Sequence, residues 1–299
     1  MERNIAHPTD ARLYERARQR MVKLAREAGI ELRQSYARKA PRLAAKAGRY
    51  AHARQFKRMR KALRTLTGYT GRVMRDIGCK LASVTDEALR ARITDELALV
   101  ARLLAQKPKD KRKLYALHEP DVDCISKGKA RQRYEFGCKV SVATTLKEGF
   151  VVGMRSLPGT PYDGHTLPEA LEQVEILTDT RPDRVFVDRG YRGHGMANGR
   201  VFISGQRRGV TPALRKMIRR RAAIEPTIGH MKTEGRLTRC PLKGTLGDAV
   251  FAVLRGCGQN IRLILAHLRK LLRKIWRAIL TVLATGRGLA WLQDASLAA

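Results

Sequence analysis

The stretch RVFVDRGYRGHG, residues 184–195, joins a short run of β-branched and aromatic residues to a glycine-rich turn, with Asp188 at the junction. Its first half predicts a strand. In α/β sheets the carboxyl end of a strand is where side chains are presented to ligands. Gly190 lets the chain turn away and leave the carboxylate exposed. Two readings of Asp188 stay open on this stretch alone: a capping or turn aspartate, or one member of a catalytic carboxylate set.

Working outward, GRVFISG (199–205) predicts a further strand, and TPALRKMIRRRAAIEPTIGHMKTEGRL (211–237) one long helix. Upstream, YEFGCKVSVATT (134–145) alternates and is β-branched; the KEG turn then leads into FVVGMRSLPG (150–159), a hairpin signal. DGHTLPEALEQVEIL (163–177) predicts a helix. The order β-β-α-β-β-α over residues 115–240 predicts an α/β domain with a mixed sheet. Neither GxGxxG nor GxxxxGK[ST] is present, so a doubly wound dinucleotide fold and a P-loop are not indicated.

Residues 8 to about 107 read as helical, opening at PTDARLYERARQR and closing at the charged link KPKDKRK (107–113). Residues 246–285 read as helical again, ahead of a weak tail. The expected organisation is a basic helical region at 1–114, an α/β core at 115–272 and a basic, amphipathic tail at 273–299.

Sixty-one Lys and Arg against 27 Asp and Glu give a formal net charge of +34. Such self-repulsion is offset by a polyanionic partner, and nucleic acid is the default one. An anionic membrane or ribosomal RNA also answers to charge alone. Five cysteines form no CxxC pair and no zinc-like grouping, and read as free thiols of a reducing compartment. The first twenty residues lack the apolar core of a secretory signal. Toward the C-terminus IRLILAHLRKLLRKIWRAIL is interrupted by Arg and Lys every few residues, which predicts a basic amphipathic helix rather than a membrane span.

A second acid alters the weighing of Asp188. In IRRRAAIEPTIGHMKTEG, residues Arg221, Glu225, Gly229 and Lys232 fall on one face of a helix, putting a carboxylate between two cations and beside a residue with no side chain. An exposed Arg221–Glu225 pair explains the acid but not the bare Gly229, and Pro226 is foreign to an ordinary exposed helix position. Phosphodiester cleavage and strand transfer use hard divalent ions held by carboxylate oxygens from separate elements, ringed by cations for the phosphates. Two acids make a thin cage. Asp121 and Asp123, in a loop-like stretch, and Asp163, read as the cap of the following helix, are the candidates for a third. His165 is a candidate for an outer contact.

The blocks SKGKARQRYEFGCKVSVATT, SLPGTPYDGHTLPEALEQV, VFVDRGYRGHG, VFISGQRRGV, RRRAAIEPTIGHMKTEGRL and LKGTLGDAVFAVLRGCGQNIRLIL, in this order, resemble the DDE transposases of bacterial insertion sequences over about residues 5–270. The resemblance implies an RNase H-like catalytic core carrying a large basic helical insertion. It implies cleavage at element ends and strand transfer to target DNA with Mg2+ or Mn2+, held by Asp188 and Glu225 as second and third acids. The family signature Tyr-x2-Arg-x3-Glu-x6-Lys is met by Arg221, Glu225 and Lys232 and departs at Ile218, where the tyrosine would stand. Arg219, Arg220, Arg221 and Lys232, with the cations of ARQFKRMRKALRTL, are expected to contact phosphates.

The family's first Asp lies on an opening strand just upstream of the block matched by ERNIAHPTDARLYERA. The expectation is therefore that the first core strand and first metal ligand are missing, leaving an unpaired sheet edge and a chain incomplete for catalysis. Expected partners are double-stranded DNA, as element ends and target, and a second copy of the chain in a dimer, with no membrane, in a cytoplasmic, nucleoid-associated setting. A nucleic-acid-binding protein without catalysis, a nuclease of the same fold and a ribosome-like protein are the alternatives.

Overall fold

A computed structural model describes residues 1–2, 7–111, 113–126, 133–196 and 200–296, with side chains as far as residue 284. Parts of the SKGKARQRYEFG block, of the glycine-rich turn after Asp188 and of the tail lie outside the described residues. The chain divides into two compact units. One holds Met1–Lys139, Leu157–Thr160 and Arg239–Asp248; the other holds Val140–Ser156, Pro161–Thr238 and Ala249–Ala299.

The first unit is built on four helices, α1 (Asp10–Glu27), α2 (Lys39–His52), α3 (Phe56–Lys80) and α4 (Glu87–Ala105). Thr9 caps α1 by accepting the Arg12 amide, with Asp10 in the first turn where the helix dipole favours an acid. Leu13, Ala17, Met21 and Ala25 recur every four residues and are buried, facing Val73 and Ile77 of α3 and Ile93, Val100 and Leu103 of α4. A second cluster packs Ala11, Ala40, Ala47, Ala62 and Leu66, whose small side chains allow close helix approach. The opposite face of α3 keeps Lys57, Arg58, Arg60, Lys61 and Arg64 in water.

Two buried acids of this unit, Glu15 and Glu96, are each paired with an arginine. Arg18 donates to Glu15 through Nε at 2.9 Å and Nη2 at 2.6 Å, and to the Ser35 carbonyl at 2.9 Å. Arg20 holds the buried Glu96. Two strands, β1 (Asp123–Ser126) and β2 (Tyr134–Gly137), pair antiparallel. Glu2 forms isolated bridges on both sides, to Gly137 and to Arg239.

The second unit carries most of β3 (Lys139–Thr144) and β4 (Val151–Leu157), which pair with each other, then α5 (Leu167–Thr178), β5 (Val185–Val187) and β6 (Val201–Ile203). β5 and β6 are parallel, with Phe186 stacked on Phe202. The described strands form three two-stranded ladders, a mixed α/β architecture. After β6 come α6 (Pro212–Arg220), a 3-10 turn (Arg221–Ala223) and α7 (Ile224–Thr233). The single long helix expected at 211–237 is therefore broken. Pro226 supplies no amide to the Ala222 carbonyl and its ring crowds that carbonyl, so the turn before it tightens.

The last helix, α8 (Gly244–Ser296), starts within the first unit and continues into the second. Asn260 ties it to β4, donating to the Val151 carbonyl at 2.8 Å and accepting the Val151 amide at 2.7 Å. Gly256 permits that approach, since a Cβ there would lie 3.1 Å from Val151 Cγ1 and 3.2 Å from Met154 Sδ. The backbone stays helical to Ser296, well beyond the expected start of a weak tail. Over Gly244–Ala284 the helix is long and apolar enough, by length and composition alone, to cross a membrane. Asn260 and the ion pair of Arg262 with Glu234 tie this part of the helix to the second unit.

Candidate active site

Asp188 follows β5 directly and caps the 3-10 turn Arg189–Tyr191: its Oδ1 accepts the Gly190 amide at 3.0 Å. Oδ2 is left over, and lies 3.5 Å from Arg221 Nη2. The same guanidinium reaches Glu225 Oε1 through Nη1 at 3.7 Å. The capping role and the shared-site role of Asp188 thus use different oxygens of one carboxylate. The guanidinium side chain is 21% exposed, against 45% for Asp188 and 70% for Glu225, so the cation is the shielded partner and both acids face water. Arg221 links acids that stand far apart in sequence.

A third acid, Asp163, comes to the same place. It opens the 3-10 turn Asp163–Thr166. The N-cap of α5 is Thr166, not Asp163, which corrects the capping role expected for it. Its carboxylate turns instead toward Gly190, where an added Cβ would sit 2.9 Å from Asp163 Oδ2 and 3.1 Å from Asp188 Oδ1. Glycine here is a matter of space, since any side chain would push both acids outward. Tyr191, next in the turn, reports the same crowding. Burial pushes its phenol up, hydrogen bonds with Ser141 and Thr166 oppose this, and the carboxylates of Asp163 and Asp188 push it further up.

The remaining expected residues are placed as follows. Arg219 and Arg220 are exposed at the end of α6. Arg220 is turned back onto the β3–β4 connection, donating to the Leu146 and Lys147 carbonyls at 2.9 Å each. Lys232 is half-buried on α7. Ile218, at the family's tyrosine position, is a buried core residue. Gly229 has open space around it, so packing within the chain does not require a glycine there. The His165 ring meets Tyr162 edge-on at 5.4 Å. Asp123 accepts the Gly159 amide at 2.7 Å, within the first unit, and so serves the local fold. Asp163 was the residue sequence reasoning misplaced; its signal was the DGH triplet, three residues ahead of a helix that Thr166 begins.

Residues 105–199 match the family described as transposase DDE domain. This part of the chain is a transposase DDE domain. Asp163 and Asp188 lie inside the matched stretch, and Glu225 beyond it. The uncharacterized protein ORF8 in the nfe locus of Rhizobium meliloti is 65% identical over 52 residues, 17% of this chain. The chain spans 25% of the length of that curated relative. No solved structure matches.

Among the described residues no group of three or more His, Cys, Asp or Glu side chains is arranged to hold a metal ion. Asp188, inside the domain, and Glu225, beyond it, nonetheless offer water-facing oxygen donors of the kind a hard cation takes, and the Arg221 guanidinium supplies the positive charge between them. Mg2+ is commonly bound by one or two carboxylates completed by water and phosphate oxygens, not by a closed protein cage. The residues fit an ion of that kind.

Proposed function

We propose that the chain acts on double-stranded DNA as a transposase, cleaving at the ends of a mobile element and transferring the freed strand. The observation that carries this reading is the Asp188–Arg221–Glu225 arrangement, with Asp163 beside it, inside and next to a DDE domain. On this reading Asp188 and Glu225 hold Mg2+ or Mn2+, and Asp163 adds a nearby carboxylate to the same surface. The bound ion would activate a hydroxyl nucleophile and stabilise the leaving oxygen.

The protein's own part is positioning and charge. Asp188 is fixed by the Gly190 amide and is therefore oriented before any ligand arrives. Arg221 neutralises two acids that would otherwise repel each other, and its guanidinium becomes available to a phosphate when another cation takes that role. Arg219 on the exposed end of α6, and the basic face of α3, would engage phosphates without reading bases. The RNase H-like sheet implied by the resemblance, the nucleoid-associated setting and a dimeric state belong to this proposal.

A nicking and strand-joining assay on a duplex carrying the element end tests it. Expected, if Asp163 serves in place of the family's first acid, is Mn2+-dependent cleavage that Asp188→Ala and Glu225→Ala abolish while DNA binding persists; DNA binding with no cleavage is the outcome for a chain incomplete for catalysis. Nicking with no joined product would favour a nuclease of the same fold. Mn2+ and DNA affinities untouched by both substitutions would favour a binding protein without catalysis.

A further inference from the structure

Beside its buried stripe, α1 carries Arg12, Arg16, Gln19 and Arg20 at steps of four, three and one, which puts them on one face. That face borders a cavity of about 690 Å3, lined also by His7, Ala44 of α2 and the segment from Tyr115 to His118. The cavity lies wholly within the first unit, and its volume falls in the range of roughly 300–1,000 Å3 usual for small-ligand sites.

The walls are tied together before any ligand arrives. Arg20 donates to the Leu117 carbonyl at 2.6 Å and holds Glu96, so it fastens the 115–118 segment to α1. Arg12 donates to the His7 carbonyl at 3.2 Å. The acid on this wall, Glu15, is already neutralised: Arg18 donates to both of its oxygens and Gln19 to one of them at 2.9 Å. Arg16 differs from its neighbours. It is exposed and makes no hydrogen bond or ion pair among the described residues. Its guanidinium keeps all its donors, in the fork geometry that suits a phosphate.

Aromatic rings supply the other half of the cavity. Tyr115 and His7 both line it, and both meet the buried Phe136, with ring centroids 5.1 and 5.2 Å apart. Rings braced in this way offer a planar partner a surface that loses little freedom on binding.

We infer that this cavity is a nucleotide site, with the phosphate held by Arg16 beside Arg12 and the base set against Tyr115 and His7. A bare anion would leave the rings unused. The chemistry is shared by a free nucleoside monophosphate and by the first nucleotide of a 5′-phosphorylated single strand. The inference uses none of the residues around Asp188, and it stands whether or not the chain cleaves DNA.

Calorimetric titration of the full, nuclease-treated chain tests it, at about 0.3 M salt so that diffuse attraction to so basic a protein is screened. The probes are the four nucleoside monophosphates and inorganic phosphate. Expected is saturable binding of at least one monophosphate, about tenfold or more tighter than inorganic phosphate. Arg16→Ala removes no hydrogen bond of the fold and should weaken that binding about tenfold or more. Tyr115→Leu should bring the monophosphate down toward inorganic phosphate. Arg90→Ala, which removes an exposed cation of α4 outside the cavity, should change nothing. Competition with a 5′-phosphorylated tetranucleotide separates the two sources: tighter binding than the monophosphate assigns the site to a strand end, and weaker binding to a free nucleotide. Monophosphates bound no more tightly than inorganic phosphate overturn the inference. So does binding untouched by Arg16→Ala, or lost equally in the Arg16→Ala and Arg90→Ala chains.

Discussion

Gly190→Ala is the sharpest probe of the site, because it removes no acid and no cation. The added methyl would stand 2.9 Å from Asp163 Oδ2 and 3.1 Å from Asp188 Oδ1. The Asp188 oxygen is held by the Gly190 amide at 3.0 Å and has little room to retreat, so Asp163 must swing away. Overpacking of this kind costs about 1–3 kcal/mol, partly offset by about 0.4–1 kcal/mol from the stiffer unfolded chain. The net loss of stability is then at most about 2–3 kcal/mol, and the unit stays folded. Metal binding should suffer more. Moving one of the carboxylates out of reach is expected to weaken Mn2+ binding at least about tenfold, corresponding to 1.4 kcal/mol. Calorimetric titration of Mn2+ into the parent chain and the variant, beside a thermal melt of each, reads both quantities. A folded Gly190→Ala chain with unchanged Mn2+ affinity would refute the idea that Asp163 contributes to the ion site of Asp188 and Glu225.

Gly229→Ala is the complementary change: the methyl enters open space on a helix, so stability should rise by up to about 1 kcal/mol. If DNA approaches the backbone beside Glu225, the same variant binds an element-end duplex more weakly, measured by fluorescence anisotropy; unchanged affinity would leave Gly229 without that role. Burial pushes the Glu96 carboxyl above its ordinary value, and Arg20 opposes this without cancelling it. A raised folded value means that stability present at low pH is lost as pH climbs through it. Glu96→Gln should therefore gain on the parent chain as pH rises from the ordinary carboxylate range in urea melts, and a widening deficit would contradict the sign. Burial pushes the Cys138 thiol up to about 12, so at neutral pH it is inert. A thiol reagent should label the exposed Cys79 and Cys257 in the folded chain, and Cys138 and Cys240 only after unfolding.

Much of the second unit was legible because its signals are local. β5 and its terminal Asp188 follow from β-branched composition and a glycine, and the Arg221–Glu225 pair follows from helical spacing that survives even across a 3-10 turn. The break itself had its cause in view, Pro226, but the consequence falls four residues upstream on the carbonyl that loses its donor. Asp163 was legible only as one of three candidates for a third acid. Its distance to Asp188 is fixed by how the turn before α5 meets the turn after β5, and no periodicity in the chain encodes that encounter. The helix over 246–285 and its basic, amphipathic character were legible from spacing, and only the continuation of α8 to Ser296 was not.

Charge accounting gives the acids their meaning. In a chain with 61 basic residues against 27 acidic ones, scarce carboxylates should each attract more than one cation. Several do: Asp76 meets Arg33 and Lys80, and Glu27 meets Lys23 and Arg92. Arg221 is the reverse case, one cation between two acids, with Asp163 near one of them. Local carboxylate excess on so basic a protein is costly to assemble by chance and is relieved by one further positive charge. A monovalent side chain would relieve it permanently, and α6 has such side chains to spare: Arg220, one residue from Arg221, spends its guanidinium on two backbone carbonyls instead. On the proposed reading the acids of this site take an exchangeable cation, and Arg221 is then released to hold a phosphate beside it.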